Sequence, residues 1–266
     1  MSTARPGAFR RFAPKYARAL AGSLYAFTVG WTVRRHRGLI HRISQHFGGP
    51  GDEPVGRLPE VAIEAFAPET GPLVLPELAA DLGNVTTTEL AVLARLARTP
   101  GVAAAFEFGT FDGRTALALA ANLPAGRVVT LDLPAALADA TAYALHPDEV
   151  AFTRKPLPGA RLQGRPEAGR VTQLLGDSAA FDFSPWRGQF DLVFVDASHV
   201  ADYVRRDAAT ALTLLRPDGP GLLVFHDYGV WPDVTTVLDE LQAGDPAFAG
   251  LRRLAGTSLA VRRAGH

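Results

Sequence analysis

The chain has 266 residues, of which 47% are hydrophobic and 20% are charged, as in an ordinary globular protein. It contains no cysteine, which excludes disulfides, thiolate metal sites and cysteine nucleophiles. Its 27 basic and 27 acidic side chains cancel. Residues 1–50 nevertheless hold nine Arg or Lys and no acid, which leaves 18 basic against 27 acidic residues, a charge of −9, for the remainder. Because a nucleic-acid surface needs clustered positive charge on the folded body, we expect no nucleic-acid partner.

The basic N-terminal segment contains an apolar stripe at helical spacing. The stripe consists of Tyr16, Leu20, Leu24, Phe27 and Trp31, with Arg10, Arg11 and Lys15 before it and Arg34, Arg35 and Arg37 after it. Its apolar stretch, residues 19–33, is shorter than the roughly 20 residues that a spanning helix needs. Three interpretations stay open: packing on the body or on a second subunit of a homo-oligomer, peripheral contact with an anionic membrane through residues 10–37, or a spanning anchor. We predict a cytoplasmic protein and leave membrane association open.

Helical and apolar patterns alternate along the rest of the chain. A capping box at Thr86 and Glu89 begins a helix that runs to Arg98. Five apolar runs follow, at residues 102–106, 127–131, 171–175, 191–195 and 221–225, and runs this apolar indicate parallel strands buried on both faces. Residues 251–255 and 258–262 flank Gly256 and Thr257, which predicts a closing hairpin. The expected fold is α/β: doubly wound and Rossmann-like, with a mostly parallel seven-stranded sheet, a C-terminal antiparallel hairpin and an N-terminal helical segment.

The loop after the first of these runs is the most informative part of the sequence. It lies between a predicted strand and a predicted helix, and its glycines, Gly109 and Gly113, allow the backbone to approach a ligand closely. The helix N-terminus adds unpaired N–H groups. Glu107, before the first glycine, would repel a pyrophosphate and attract a cationic amine. S-adenosylmethionine, which carries an ammonium and a sulfonium, is a ligand of that kind.

Polar residues also follow the other predicted parallel strands, whose carboxyl ends form the ligand-binding edge of such a sheet. These residues are Asp132, Asp177 with Ser178, Asp196 with His199, and His226 with Asp227. One strand-end acid is a weak signal, because Asp commonly caps a following helix. An ordered series of them is a much stronger one. An acid after the second strand suits the two hydroxyls of a ribose.

With the glycine loop, this series resembles the class I S-adenosylmethionine-dependent methyltransferases. More narrowly, it is similar to the bacterial branch that shares features with the catechol- and caffeoyl-CoA-type O-methyltransferases. The resemblance covers roughly residues 58–266. Phe111 departs from the commoner loop, which carries a further glycine there. Composition and pattern predict a basic helical segment at 1–50 and a linker and lid or helical region at 51–100, and the resemblance implies a methyltransferase domain at 101–266.

The resemblance also implies a role for each strand-end residue. The cofactor would be S-adenosylmethionine, with the methionine end near Glu107, the ribose on Asp132 and the adenine beside Asp177. The full expected cofactor set is Glu107, Gly109, Thr110, Phe111, Gly113, Asp132, Leu133, Asp177, Ser178 and Asp196. Asp196, His226 and Asp227 would bind a divalent cation, Mg²⁺ or Mn²⁺, and the imidazole suits Mn²⁺ better. His199 and Asp196 are the expected catalytic residues, with His199 taking a proton from the acceptor hydroxyl.

The expected function is methylation of a small-molecule hydroxyl on a sugar, a polyketide or another secondary metabolite. Two alternatives stay open: an NAD(P)-dependent oxidoreductase on a similar fold, and a non-catalytic binding module. Structural roles are also open for single residues, since His199 could cap the helix that follows it and His226 could orient Asp227. Tyr143, His146, Trp186 and Trp231 are aromatic loop residues suited either to an acceptor pocket or to packing.

Overall fold

The structure, a computed structural model, describes residues 7–33, 36, 56–67, 71–123, 125–155 and 157–263. Residues 1–52 and residues 53–266 form two compact units. The predicted flanking residues Arg34, Arg35 and Arg37, and residues 48–55 of the predicted linker, lie outside the described part of the chain. The division into segments 1–50, 51–100 and 101–266 stays a prediction.

The first unit contains one long helix, α1 (Gly7–Thr28), which a short 3-10 turn at Gly30–Thr32 follows. The predicted helix is therefore confirmed as far as Thr28. Tyr16, Leu20, Leu24 and Phe27 are 75%, 65%, 60% and 53% exposed. Among the described residues, no helix combines the length and hydropathy that crossing a bilayer requires.

The second unit is built from eight strands and six helices in its described residues. The strands are β1 (Glu60–Val61), β2 (Ala104–Phe108), β3 (Arg127–Asp132), β4 (Val171–Leu175), β5 (Leu192–Val195), β6 (Leu222–Phe225), β7 (Arg252–Leu254) and β8 (Ala260–Arg263). The helices are α2 (Ile63–Phe66), α3 (Thr87–Ala97), α4 (Arg114–Asn122), α5 (Val150–Thr153), α6 (Ala201–Leu214) and α7 (Pro232–Gly244). The capping box is confirmed, since the Thr86 hydroxyl accepts from the Glu89 N–H and the Glu89 carboxylate accepts from the Thr86 N–H.

All eight strands form one sheet in the order β1-β7-β8-β6-β5-β2-β3-β4. Only β8 runs antiparallel to its neighbours among these strands, so the mostly parallel sheet with a C-terminal hairpin is confirmed. The sheet has one strand more than predicted, because Glu60 and Val61, in a stretch without strand signals, pair with β7. The expectation that all the parallel strands are buried on both faces is wrong for β4. It lies at the sheet edge and is only partly buried.

Two apolar cores cover the faces of the sheet. Alternate side chains of each strand point to opposite faces, so Phe106 and Phe108 join the core with α6 and α7, while Ala105 joins the core with α3 and α4. The strand order reverses between β2 and β5, because β3 and β4 extend the sheet to one side and β5 and β6 to the other. Such a reversal opens a crevice at the carboxyl ends of the two strands, where ligands bind in open α/β sheets.

Candidate active site

The carboxyl ends of β2 and β5 bring Glu107, Gly109 and Asp196 together. The Asp196 N–H donates to the Phe108 carbonyl at 3.0 Å, which joins the two strand ends. Gly109 has a φ of +88°, and a Cβ built on it would lie 1.8 Å from the Asp196 carbonyl oxygen. No other residue fits there without moving one strand end. The glycine noted in the sequence is therefore required for the backbone of the loop to pass β5.

The loop continues in two further left-handed conformations. Phe111 has a φ of +49°, and Gly113, directly before α4, has a φ of +91°. The left-handed region costs a residue with a side chain about 1 kcal/mol or more, which explains why a glycine is commoner at the Phe111 position. In this chain the Phe111 ring packs against Phe152 with centroids 5.9 Å apart. The phenylalanine thus makes a contact that a glycine would lack.

Glu107 is a buried acid with a short hydrogen-bond chain. The Thr130 hydroxyl donates to its carboxylate at 2.6 Å, and the Thr110 hydroxyl lies 2.8 Å from that of Thr130. Burial raises the pKa of Glu107 well above its usual range, and the charges of Asp196, Asp132 and Asp112 add to the increase, while Thr130 opposes it. A ligand cation beside Glu107 would offset this penalty. The buried carboxylate is therefore suited to a cationic amine, as the sequence predicts.

Asp132, at the end of β3, forms an ion pair with a lysine that the sequence did not single out. Lys155 Nζ lies 2.8 Å from Asp132 Oδ2. Burial raises the pKa of Asp132, whereas Lys155 and the backbone N–H groups of Phe111 and Leu133 lower it, with burial the stronger influence. The predicted neighbours Phe111 and Leu133 thus contact Asp132 through their backbones.

Asp177, at the end of β4, already has three donors within the protein. Its carboxylate accepts from the Ala142 N–H at 2.6 Å, the Ala179 N–H at 2.9 Å and the Tyr203 hydroxyl at 2.9 Å. These contacts hold the connection between β3 and β4, residues 133–170, against the strand ends. Ser178 is partly buried next to it. Contact of either residue with adenine stays a prediction.

A cluster of acids and histidines follows β5 and β6. Asp196, His199 and Asp227 each offer one ligand atom, and these atoms lie within 4.8 Å of one another. His226, rather than His199, was the expected third ligand. Its Nδ1 lies 3.2 Å from both Asp196 Oδ1 and Asp227 Oδ2, and its Nε2 lies 3.4 Å from Glu89 Oε2. All four residues are therefore close together.

Nearby carboxylates favour the protonated form of both histidines of this cluster. Burial would lower the pKa of His226, but the charges of Asp227 and Asp196 raise it well above its usual range. Burial would also raise the pKa of Asp227, but the charge of His226 and a hydrogen bond with His199 hold it well below its usual range. His226 thus acts as a buried counter-charge between carboxylates. The structural interpretation of His226, as a residue that orients Asp227, fits these contacts.

His199 lies between two carboxylates. Its Nδ1 is 2.5 Å from Glu149 Oε1, and its Nε2 is 2.7 Å from Asp227 Oδ2. Its ring stacks on Trp231, with the centroids 4.3 Å apart and the planes within 8°. Burial would lower the pKa of His199, but the hydrogen bonds to Asp227 and Glu149 raise it to about 9. The imidazole is therefore mostly protonated at neutral pH, whereas the sequence predicts a histidine that accepts a proton near that pH.

His199 does not cap the following helix. The residue before α6 is Val200, whose side chain makes no capping hydrogen bond, and the N–H of Ala201 donates to Asp233 at 3.0 Å. The aromatic candidates divide into two sets: His146 packs on Trp231 at 5.2 Å, next to His199, and Tyr143 packs on Tyr203 at 5.2 Å. Trp186 instead packs against Phe190 of the core, so it is not part of this group.

Glu149 and Lys155 are residues of this site that sequence reasoning missed. Both lie in residues 133–170, which contain short turns and no long periodic pattern. Glu89 was recognised only as a capping residue, yet its carboxylate also accepts from the Ser258 N–H and hydroxyl, each at 2.8 Å, and faces His226. In a single sequence the capping role of Glu89 is visible, but its contact with a buried histidine is not.

Comparison with known families agrees with this geometry. Residues 106–228, from within β2 to just beyond β6, match the family described as methyltransferase domain. The matched segment is therefore a methyltransferase domain. The oxidoreductase and the non-catalytic module that the sequence left open are therefore set aside. No curated protein matches the methyltransferase at the level of sequence.

Several solved structures resemble the methyltransferase at low identity. The O-methyltransferase TomG from Streptomyces achromogenes, involved in tomaymycin synthesis and solved with its cofactor, is 22% identical over 71% of this chain and 83% of its own, with a TM-score of 0.47. An O-methyltransferase from Bacillus cereus with S-adenosylhomocysteine is 20% identical over 69% and 83%, with a TM-score of 0.45. The S-adenosylhomocysteine-bound methyltransferase PaMTH1 of Podospora anserina is 19% identical over 68% and 79%, with a TM-score of 0.45.

Proposed function

We propose that the methyltransferase transfers its methyl group to a hydroxyl of a small molecule, such as a sugar, a polyketide or another secondary metabolite. The observation that carries the proposal is the contact between the two halves of the site. The loop that begins at Gly109 packs on the Asp196 backbone, and Asp196 begins the cluster that includes His199 and Asp227. A methyl donor in the loop would face groups that can bind and deprotonate a hydroxyl.

The cofactor roles in this proposal follow the strand ends. Glu107 binds the amine of the methionine end, next to Gly109 and Thr110. Asp132 accepts from the ribose hydroxyls, with Phe111 and Leu133 beside it, and Asp177 and Ser178 border the adenine. Gly113 lies directly before α4, whose N-terminal end would favour the methionine carboxylate. The burial of Glu107 supports its role, because an acid is costly to bury without a cationic partner.

In the proposed reaction the acceptor oxygen attacks the methyl carbon as the bond from that carbon to sulfur breaks. S-adenosylmethionine would supply the methyl group and would leave as the neutral sulfide S-adenosylhomocysteine, which keeps the electron pair of the broken bond, and the hydroxyl proton would go to a base. His199 is the proposed base, and Asp196 orients the hydroxyl. Because the pKa of His199 is raised to about 9, it must lose its proton before it can act. Glu149, on Nδ1, fixes the orientation of the ring.

We also propose a divalent cation, Mg²⁺ or Mn²⁺, at this cluster. Asp196, Asp227 and one of the two histidines would hold it, and the ligand atoms of Asp196, His199 and Asp227 lie within 4.8 Å of one another. With His199 as the ligand, the cation rather than His199 would activate the hydroxyl, because Glu149 occupies the other ring nitrogen; with the expected His226 as the ligand, His199 stays the base. The cation would lower the pKa of the acceptor hydroxyl. Two carboxylates with an imidazole suit Mn²⁺ better than Mg²⁺.

Cofactor binding is tested by calorimetric titration with S-adenosylhomocysteine. We expect binding in the micromolar range for the wild type and its loss in Asp132→Ala. Binding of NADH with no response to S-adenosylhomocysteine would contradict the cofactor assignment.

The catalytic roles need a separate test, in turnover of a hydroxyl-bearing acceptor. His199→Ala should keep cofactor affinity and lose turnover. In the wild type, turnover should rise about tenfold per pH unit below pH 9, because only the neutral imidazole accepts a proton. Full turnover after EDTA treatment would contradict the cation proposal, and a flat pH profile would contradict the role of His199.

For the N-terminal unit we propose that the apolar stripe of α1 binds a partner. That partner is either an anionic membrane, contacted through residues 10–37, or a second subunit. The helical spacing of Tyr16, Leu20 and Leu24 supports such a partner, and the nine basic residues of segment 1–50 favour an anionic surface. Co-sedimentation with anionic rather than neutral vesicles, lost in Leu24→Ser, would support the membrane. A dimer in light scattering that Leu24→Ser dissociates would support the subunit. The cytoplasmic location stays a prediction.

A further inference from the structure

The connection between β3 and β4 contacts several strand-end loops of the site. The Ala142 N–H bonds to Asp177 at 2.6 Å, and the Gly159 N–H donates to the Phe111 carbonyl at 2.8 Å. Between these two points, Glu149 contacts His199 and Lys155 contacts Asp132. The connection therefore reaches both the proposed cofactor site and the proposed catalytic cluster. Lys155 thus contacts the Asp132 carboxylate, which is expected to bind the ribose.

The ammonium of Lys155 is held by three groups. Nζ lies 2.8 Å from Asp132 Oδ2, donates to the Phe152 carbonyl at 3.1 Å, and lies 5.4 Å from the centre of the Phe111 ring. The side chains of Lys155 and Asp132 are only 14% and 7% exposed. An ammonium so enclosed supplies a positive charge to the acids at this edge of the sheet.

The ion pair is close but leaves the carboxylate incompletely satisfied. Asp132 Oδ2 is buried, and its partner is the Lys155 ammonium 2.8 Å away, which also donates to the Phe152 carbonyl. Lys155 thus neutralises the charge of the carboxylate without filling the hydrogen-bonding capacity of this oxygen. A buried acceptor left in that state is costly. A hydroxyl donor in the right direction would satisfy it better.

We propose that Lys155 is a displaceable counter-ion, which holds Asp132 when the cofactor is absent and which the ribose of S-adenosylmethionine must displace. The inference rests on the proposed function, in which Asp132 binds the ribose. The two ribose hydroxyls would donate to the Asp132 carboxylate in place of the ammonium. Lys155 therefore competes with the cofactor and lowers its apparent affinity.

The size of the effect follows from the competition. If Lys155 covers Asp132 in about 70–90% of cofactor-free molecules, the apparent dissociation constant is about 3–10 times the intrinsic one, because only uncovered molecules bind. Lys155→Met removes the charge and keeps an apolar side chain for Phe111. We expect this variant to bind S-adenosylhomocysteine about 3–10-fold more tightly than the wild type.

The experiment is calorimetric titration of the full chain with S-adenosylhomocysteine at pH 8. Arg154→Met is the matched control, because the neighbouring Arg154 pairs at 2.8 Å with Asp139 and both side chains are exposed. It should bind as the wild type does. Lys155→Arg, which keeps the charge, should stay within about twofold of the wild type. Lys155→Gln replaces Lys155→Met if the latter does not fold.

Two outcomes would overturn the inference: unchanged affinity in a folded Lys155→Met or Lys155→Gln variant, or weaker binding, which would make Lys155 a cofactor contact. A gain of equal size in Arg154→Met would show a general effect of the connection and would also overturn it. Failure of the proposed function looks different, since the wild type itself would then show no titration signal.

Discussion

Glu107→Gln separates the stability of the methyltransferase from its cofactor binding. Glutamine has nearly the same shape and can keep the hydrogen bond with Thr130, but it cannot ionise. Burial raises the pKa of Glu107 in the folded protein. The stability that protonated Glu107 contributes is therefore fully present below pH 4.5, the pKa of the unfolded state. It is lost as the pH rises through the pKa of the folded state. The cofactor-free variant should be more stable than the wild type at pH 8, and the difference should shrink towards pH 5.

Cofactor binding should change in the opposite direction. A hydrogen bond to a charged group is worth about 1.5–3 kcal/mol, so loss of the bond between Glu107 and the cofactor amine should weaken binding by about 10- to 150-fold. Thermal unfolding at pH 5 and pH 8 measures the first effect, and calorimetric titration with S-adenosylhomocysteine at pH 8 measures the second.

The matched control is Glu240→Gln, because Glu240 forms a half-exposed ion pair with Arg205 at 2.6 Å. It should change stability by less than about 1 kcal/mol and leave binding unaltered. Unchanged binding in Glu107→Gln would refute contact between Glu107 and the amine. Lower stability at pH 8 would refute the assignment of Glu107 as a buried acid without a cation.

Three further substitutions test the scaffold by urea denaturation. Asp207 is fully buried, and burial raises its pKa to about 7, so Asp207→Asn should gain up to about 4 kcal/mol at pH 8 and less than about 2 kcal/mol at pH 5; an equal effect at both pH values would contradict this. Arg114 donates to three carbonyls in residues 77–85, so Arg114→Met should lower the free energy of unfolding by about 3 kcal/mol or more. A loss below about 1 kcal/mol would show that water replaces the guanidinium. Tyr228→Phe leaves the buried Leu58 N–H without its 2.7 Å partner and should cost about 1–3 kcal/mol; wild-type stability would mean that this N–H finds another acceptor.

The sheet and the strand-end acids were predictable because both follow from local patterns. Buried parallel strands are short apolar runs, and a polar residue after such a run lies at the ligand-binding edge whatever the rest of the chain does. Glu107, Asp132 and Asp196 were found in this way. The β1 strand was not, because two residues carry no periodicity and its pairing depends on β7, almost 200 residues later.

The catalytic environment was less predictable because it depends on distant partners. The sequence identified His199 as a candidate base near neutral pH, but its pKa depends on Glu149, 50 residues away, and on Asp227, 28 residues away. Glu149 lies in a connection whose position is fixed by contacts with four strand ends rather than by its own pattern. Local sequence patterns identify such a histidine but not the distant carboxylates that set its pKa.

The tie between Tyr228 and Leu58 bears on how much chain an autonomous folding unit needs. Residues 106–228 match the family, but a fragment with these limits would lack β8 and leave β6 as an unpaired edge, which invites aggregation. It would also lack Leu58 and Asp239, the hydrogen-bond partners of the Tyr228 hydroxyl, next to Asp227. The limits of recognisable similarity are thus narrower than the limits of cooperative folding, and the flanking segments belong to the domain in a thermodynamic sense.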